Sequence, residues 1–143
     1  YPVGRLDYDT SGILILTNDG DFSQRLAHPK QQIDKVYVAK VKGYAEKRAL
    51  LPLTKGIRIE GKKTAPARFE ILSADKKAET SIVELTIHEG RNHQVKNMLA
   101  AVGLPVQKLK RERYGDLTLH GLRPGEYRRL NTKEINTLLN QSK

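Results

Sequence analysis

The clearest periodicity in the chain is the alternation Lys35-Val36-Tyr37-Val38-Ala39-Lys40-Val41, which predicts a strand with two unlike faces. Tyr37 shares its face with Lys35 and Ala39, and Val36, Val38 and Lys40 point the other way. Ser81-Ile82-Val83-Glu84-Leu85-Thr86-Ile87 repeats the pattern and is the clearest strand of all. The apolar run 13–17 predicts a buried strand, Asn18-Asp19-Gly20 a turn, and 21–27 a short helix with Phe22 and Leu26 on one face. A helical stretch over 46–51 ends at Pro52, and strands over 56–59 and 67–72 flank a turn region at 60–63 in which Gly61 is the turn residue. A helix from about 92 to 102 is closed by Gly103 and Pro105, strands follow at 106–114 and 127–130, and Asn131-Thr132-Lys133-Glu134 opens a last helix in capping-box fashion. Many hairpin-like neighbours and few helices predict one α+β domain, a mainly antiparallel mixed sheet flanked by helices.

Composition narrows the function classes. The 143 residues suffice for one domain that buries roughly two-thirds of its unfolded surface, and there are no linkers, low-complexity tracts or repeats. Without cysteine, thiolate catalysis, Cys-type zinc and disulfides are excluded, in keeping with a reducing compartment. No apolar run has the length of a membrane span and the first residues lack a signal-peptide pattern, so the expected setting is the cytoplasm, with no membrane partner. Lys plus Arg exceed Asp plus Glu by 26 to 16, a net charge of +10 that suits a polyanion such as nucleic acid and also serves simple solubility. The cations cluster at Lys108-Leu109-Lys110-Arg111-Glu112-Arg113, where strand alternation puts Lys108 and Lys110 on one face and Leu109 on the other.

Two constellations carry candidate chemistry. Gly4-Arg5-Leu6-Asp7-Tyr8-Asp9-Thr10-Ser11-Gly12 sets a carboxylate beside a guanidinium, small hydroxyls and a flexible glycine at the mouth of a strand, the arrangement of a reactive site. Read alone, Asp7 and Asp9 also suit a helix cap or an Asx-turn. His88-Glu89-Gly90-Arg91-Asn92-His93-Gln94-Val95-Lys96 spans a strand-to-helix junction, where free backbone N–H groups with Arg91 and Lys96 nearby suit a phosphate or carboxylate. The pair His88 and His93 lacks the H-E-x-x-H spacing and a cysteine partner, so no metal is expected. His93 suits a structural role as well as a substrate contact, Tyr37 an ordinary half-buried strand position, and Arg5 and Lys96 solvated charges.

Three words in this order, G-R-L-D-x-x-T-S-G, K-V-Y-V-A-K-V and E-G-R-N-H-Q-V-K-N-M, resemble the motifs of RNA pseudouridine synthases of the RsuA type. A fainter likeness through Leu104-Pro105-Val106 and Leu109-Lys110-Arg111 extends the resemblance over essentially the whole chain. The resemblance implies the pseudouridine synthase catalytic fold, with Asp7 as the catalytic carboxylate, Tyr37 as the aromatic packed on the target base, and Lys96 in place of a basic residue, usually arginine, that pairs with the aspartate. It makes Arg5 the residue that fills the gap left by a flipped nucleotide. Thr10, Arg91, His93, Gln94, Lys108, Lys110 and Arg111 join it as expected RNA contacts. Asn97 stands where relatives often have another arginine.

The resemblance further implies conversion of a uridine to pseudouridine in ribosomal RNA, and similarity to the RluB-like branch points to the large subunit. Relatives carry an earlier K-P-x-G word and commonly a small S4-type RNA-binding domain, whereas this chain opens directly on the aspartate motif. The expectation is therefore a catalytic domain at 1–143 that lacks its N-terminal part. Ribosomal RNA is the expected partner of a monomeric enzyme that needs no metal or organic cofactor. The rivals are a non-catalytic RNA-binding or ribosome-assembly module and a phosphate-handling enzyme using Gly90-Arg91, the latter without any Walker-type or dinucleotide glycine pattern.

Overall fold

The computed structural model describes residues 2–28 and 31–141. The apolar run at the head of the chain is divided instead of forming one buried strand. Strand β1 (Pro2–Val3) is followed by β2 (Thr10–Gly12) and β3 (Ile15–Leu16); β3 pairs antiparallel with β1, while β2 pairs elsewhere. Alternation on an extended chain is the cause: Ile13 and Ile15 are buried, Leu14 and Leu16 exposed. Helix α1 (Gly20–Ala27) starts where the Asp19 carboxylate accepts the backbone N–H groups of Asp21 at 3.0 Å and Phe22 at 3.2 Å. Its Leu26 is buried, with Phe22 packed on the same cluster.

Strand β4 (Lys35–Lys42) lies inside the main sheet, with Ala39 and Val41 buried on the face that Tyr37 shares. Helix α2 (Lys47–Leu50) runs straight into a 3-10 turn over Leu51–Thr54, so Pro52 sits at the start of a tighter turn, a position that suits its fixed φ. The expected strand at 56–59 shrinks to β5 (Arg58–Ile59), which forms a small hairpin with β6 (Lys62–Lys63) across Glu60 and Gly61, both at positive φ. Then come β7 (Arg68–Asp75), β8 (Thr80–Ile87), helix α3 (Gln94–Ala101), β9 (Val106–Tyr114), β10 (Leu117–Thr118) and helix α4 (Thr132–Gln141). The strand expected at 127–130 does not form: Tyr127 is exposed, and Arg128 turns to the start of α4.

The sheet order β10-β9-β4-β8-β7 is antiparallel throughout, and β2 adds to β9 in parallel. The α+β expectation with a mainly antiparallel sheet is met. One core joins the inner faces of β4, β8 and β9 to α2 and α3 through Val41, Leu50, Val83, Leu85, Met98 and Leu99. Each such side chain contributes about 2 kcal/mol by leaving water. A second cluster, with Val3, Ile13, Ile15, Leu26, Ile33, Tyr114 and Leu138, fastens the head of the chain and α4 to the end of the sheet.

Helix α4 is locked at its start by a reciprocal cap: Glu134 N–H donates to Asn131 Oδ1 at 2.8 Å and Asn131 N–H to Glu134 Oε1 at 3.0 Å. Arg128 adds a two-pronged contact to Glu134 at 2.9 and 2.7 Å. That guanidinium first, and the Asn131 N–H second, hold the Glu134 carboxyl at about 2, against an ordinary value of 4.5. A depressed carboxyl stabilises the fold fully above pH 4.5, and the contribution is lost as pH falls toward about 2. Unfolding of the wild type and Glu134→Gln across that range is expected to show a stability difference that shrinks with acidification; a constant difference would remove the ion pair from the cap.

Candidate active site

A cleft of about 930 Å³ opens between the head of the chain, the inner face of the sheet and the start of α3. One wall is the turn Asp7–Thr10, closed by Thr10 N–H donating to the Asp7 carbonyl at 2.9 Å. That turn is anchored by β2, whose Gly12 lies against β9 at φ 114°, where a Cβ would stand 2.1 Å from the Arg111 carbonyl oxygen. Only glycine permits so close an approach. Ile13 N–H donates to the Arg111 carbonyl at 3.0 Å, and Arg111 returns Nε and Nη2 to the Ile13 carbonyl at 2.9 and 2.5 Å.

The facing wall is His93, the residue before α3, held in the left-handed region at φ 51°. That conformation costs a non-glycine residue about 1 kcal/mol. It brings His93 Nδ1 to 3.1 Å from Asp7 Oδ2, while Arg5 Nη2 stands 3.9 Å from Asp7 Oδ1 and donates to Asn92 Oδ1 at 2.9 Å. The Asp7 side chain is 18% exposed and Arg5 73%, so a largely enclosed carboxylate lies behind an open cation.

Lys96 does not pair with Asp7. Its ammonium meets Asp9 Oδ1, and this hydrogen bond holds the Asp9 carboxyl below the usual carboxylate range. The spacing explains the exchange: His93 and Lys96 lie one helical turn apart at the start of α3, and Asp7 and Asp9 two residues apart on the turn, so the four pair off in order. Tyr37, Lys96, Thr10 and His93 line the cleft with Asp7. Tyr37 is half-buried beside a register shift between Val36 and Tyr37 in the pairing of β4 with β9, a kind of irregularity that re-aims a side chain.

Other expected RNA contacts are committed to the protein. Gln94 is buried, donates to Glu89 Oε1 at 2.7 Å and accepts the Arg91 N–H at 3.0 Å, which consumes a backbone donor expected to be free. The Arg91 guanidinium reaches the carbonyls of Ile59 and, at 3.0 Å, Lys62, tying the β5–β6 hairpin to the cleft. Arg111 is 3% exposed, because on β9 it falls on the inner face with Leu109. Thr10 Oγ1 is buried, with no hydrogen-bond partner among the described residues. Lys108 and Lys110 are exposed on the opposite face of β9, away from the cleft, and Lys110 lies 3.6 Å from Glu112. The site also holds Glu89 and Asn92, members of the strand-to-helix constellation without an expected role, and Lys35, for which the shared strand face with Tyr37 was the available signal.

Residues 1–101 match the family model described as RNA pseudouridylate synthase. The chain belongs to the RNA pseudouridylate synthase family. It is 59% identical over 138 residues to the ribosomal large subunit pseudouridine synthase B of Bacillus subtilis, covering 96% of this chain and 57% of that protein. It is 44% identical to the ribosomal small subunit pseudouridine synthase A of Vibrio vulnificus, covering 94% of this chain and 58% of the relative, so this pseudouridylate synthase domain is of the RsuA/RluB type. A pseudouridylate synthase crystal structure superposes with a TM-score of 0.87 at 40% identity, covering 96% of this chain and 59% of that one. A human RNA pseudouridylate synthase domain containing 1 structure, at 18% identity and TM-score 0.60, shares the fold. The chain thus spans under three-fifths of the length of the Bacillus and Vibrio relatives and of the pseudouridylate synthase crystal structure. Among the described residues, no helix is long and apolar enough to cross a membrane.

The bonds between Arg111 and Ile13 give this family member a stability test. Arg111→Lys keeps the charge and loses the planar fork, and is expected to cost about 2 kcal/mol in chemical denaturation. An unchanged midpoint would show that the Ile13 carbonyl does not depend on the guanidinium.

Proposed function

We propose that this protein converts a uridine of ribosomal RNA to pseudouridine in the cleft around Asp7. The observation that carries the reading is the enclosed Asp7 carboxylate, 3.1 Å from His93 Nδ1 and 3.9 Å from Arg5 Nη2, in one cleft with Tyr37 on a chain of this family. The large subunit is the favoured source of the RNA, since the relative named for it is 59% identical and the one named for the small subunit 44%. The reading carries with it a cytoplasmic site of action.

The reaction breaks the bond from C1′ to N1 of uracil, turns the base and rejoins it through C5, so atoms and electrons balance within the RNA. An ionised carboxylate near C1′ serves as nucleophile or base there. The uridine must leave its stack to arrive. Tyr37 offers a platform for the extruded base, Arg5 at the open rim fills the space it vacates, and Lys96 acts through Asp9 to hold the turn that carries Asp7.

A non-catalytic RNA-binding role has one observation in its favour, the exposed Lys108 and Lys110 on the face away from the cleft. Asp7→Asn separates the two readings. In the complete protein it is expected to abolish pseudouridine formation, with RNA affinity within about threefold of wild type because phosphate contacts dominate binding. Pseudouridine mapping on ribosomal RNA, with titration of the same RNA, measures both; retained turnover would remove Asp7 from the chemistry and favour the binding role.

A further inference from the structure

Lys35 is a cation in the cleft that the reaction as described does not use. It opens β4 two residues before Tyr37, so both side chains project from one face, about 7 Å apart along the strand, and both line the cleft. Lys35 is half-buried: desolvation first, and the Arg111 guanidinium second, push its pKa below the ordinary lysine value, with the charges of Asp34 and Glu89 acting the other way. Among the described residues Nζ makes no hydrogen bond and no ion pair; its near neighbour is the Tyr114 ring, 5.8 Å away at the centroid. A side chain at position 90 would begin 3.7 Å from Nζ, and Gly90 leaves that space open.

A cation taken out of water without a counterion is costly, and its retention in a cleft points to a ligand that supplies the negative charge. We propose that Lys35 is a catalytic residue that donates from Nζ to a carbonyl oxygen of the target uracil and holds the negative charge the base gains as its bond to C1′ breaks. The assignment rests on the reading of Asp7 and Tyr37 above. When the bond breaks, its electron pair leaves with uracil and spreads over N1 and the carbonyl oxygens. C5 then bonds to C1′, loses its proton, and N1 gains one. Lys35 stays an ammonium throughout and contributes charge, not a proton. Its place beside the base platform favours uracil over phosphate, because a phosphate is served at less desolvation cost by open cations such as Arg5.

The test uses the complete protein and a ribosomal RNA fragment carrying the uridine whose modification disappears when the protein is deleted. Lys35→Met is expected to lower the single-turnover rate about 100-fold or more with Kd unchanged, to melt no lower than wild type since a half-buried unpaired charge is removed, and to be partly rescued by Lys35→Arg. With 5-fluorouridine at the target the base is a better leaving group, so the Lys35→Met defect in glycosidic cleavage is expected to shrink at least several-fold; a purely structural role would leave it unchanged. An equal defect on both bases, a rate within twofold of wild type, or a raised Kd with an unchanged rate overturns the proposal, the last reassigning the amine to phosphate. Loss of turnover in Asp7→Asn beside an active Lys35→Met would overturn this inference alone, whereas an active Asp7→Asn would overturn the reading beneath it.

Discussion

The exchange of hydrogen bonds between Ile13 and Arg111 is the constraint on which the site depends. Three bonds join these residues across the parallel pairing of β2 with β9, and Gly12 permits it by having no side chain to meet the Arg111 backbone. An isolated three-residue strand is too short to hold itself. Fixed to β9, it holds the turn bearing Asp7 and Asp9 against α3, and the same guanidinium lies 5.2 Å from the Tyr114 ring in the second core cluster. Core packing and site geometry therefore share one buried arginine, whose charge in turn bears on Lys35.

The electrostatics of the cleft are ordered by depth. Arg5 stands open to solvent at the rim, Asp7 is enclosed behind it, and Lys35 and Tyr37 are half-buried side by side. A net charge of +10 draws in a polyanion from a distance, and salt weakens that attraction. Discrimination belongs to the enclosed groups, where desolvation strengthens each contact and leaves each unpaired charge costly.

Local signals in the sequence were legible wherever local physics decides the outcome. The period of two in β4 and β8 and the Asn131–Glu134 box of α4 appear as read, and the turn expected at Asn18-Asp19-Gly20 is where Asp19 caps α1. The motif words brought Asp7, Tyr37, His93 and Lys96 to one cleft across as many as 89 positions of sequence. Choices among long-range partners were not legible: the pairing of Lys96 with Asp9 depends on how a helix start meets a turn, and nothing local separates two carboxylates two residues apart. Arg111 was within reach, since the alternation that put Leu109 inward also puts Arg111 inward; its place in a basic run hid this. The strand expected at 127–130 does not form: Tyr127 is exposed, and Arg128 meets Glu134 instead.

The most direct test of the proposed site is a crystal structure of the complete protein bound to a ribosomal RNA fragment, with 5-fluorouridine at the uridine whose modification disappears when the protein is deleted. The expected result is a fluorinated nucleotide turned out of the helix into the cleft, with the Asp7 carboxylate at C1′ of its sugar and the Tyr37 ring against the base. RNA seated on the Lys108 and Lys110 face, with the nucleotide stacked in its helix and the Asp7 cleft empty, would contradict it.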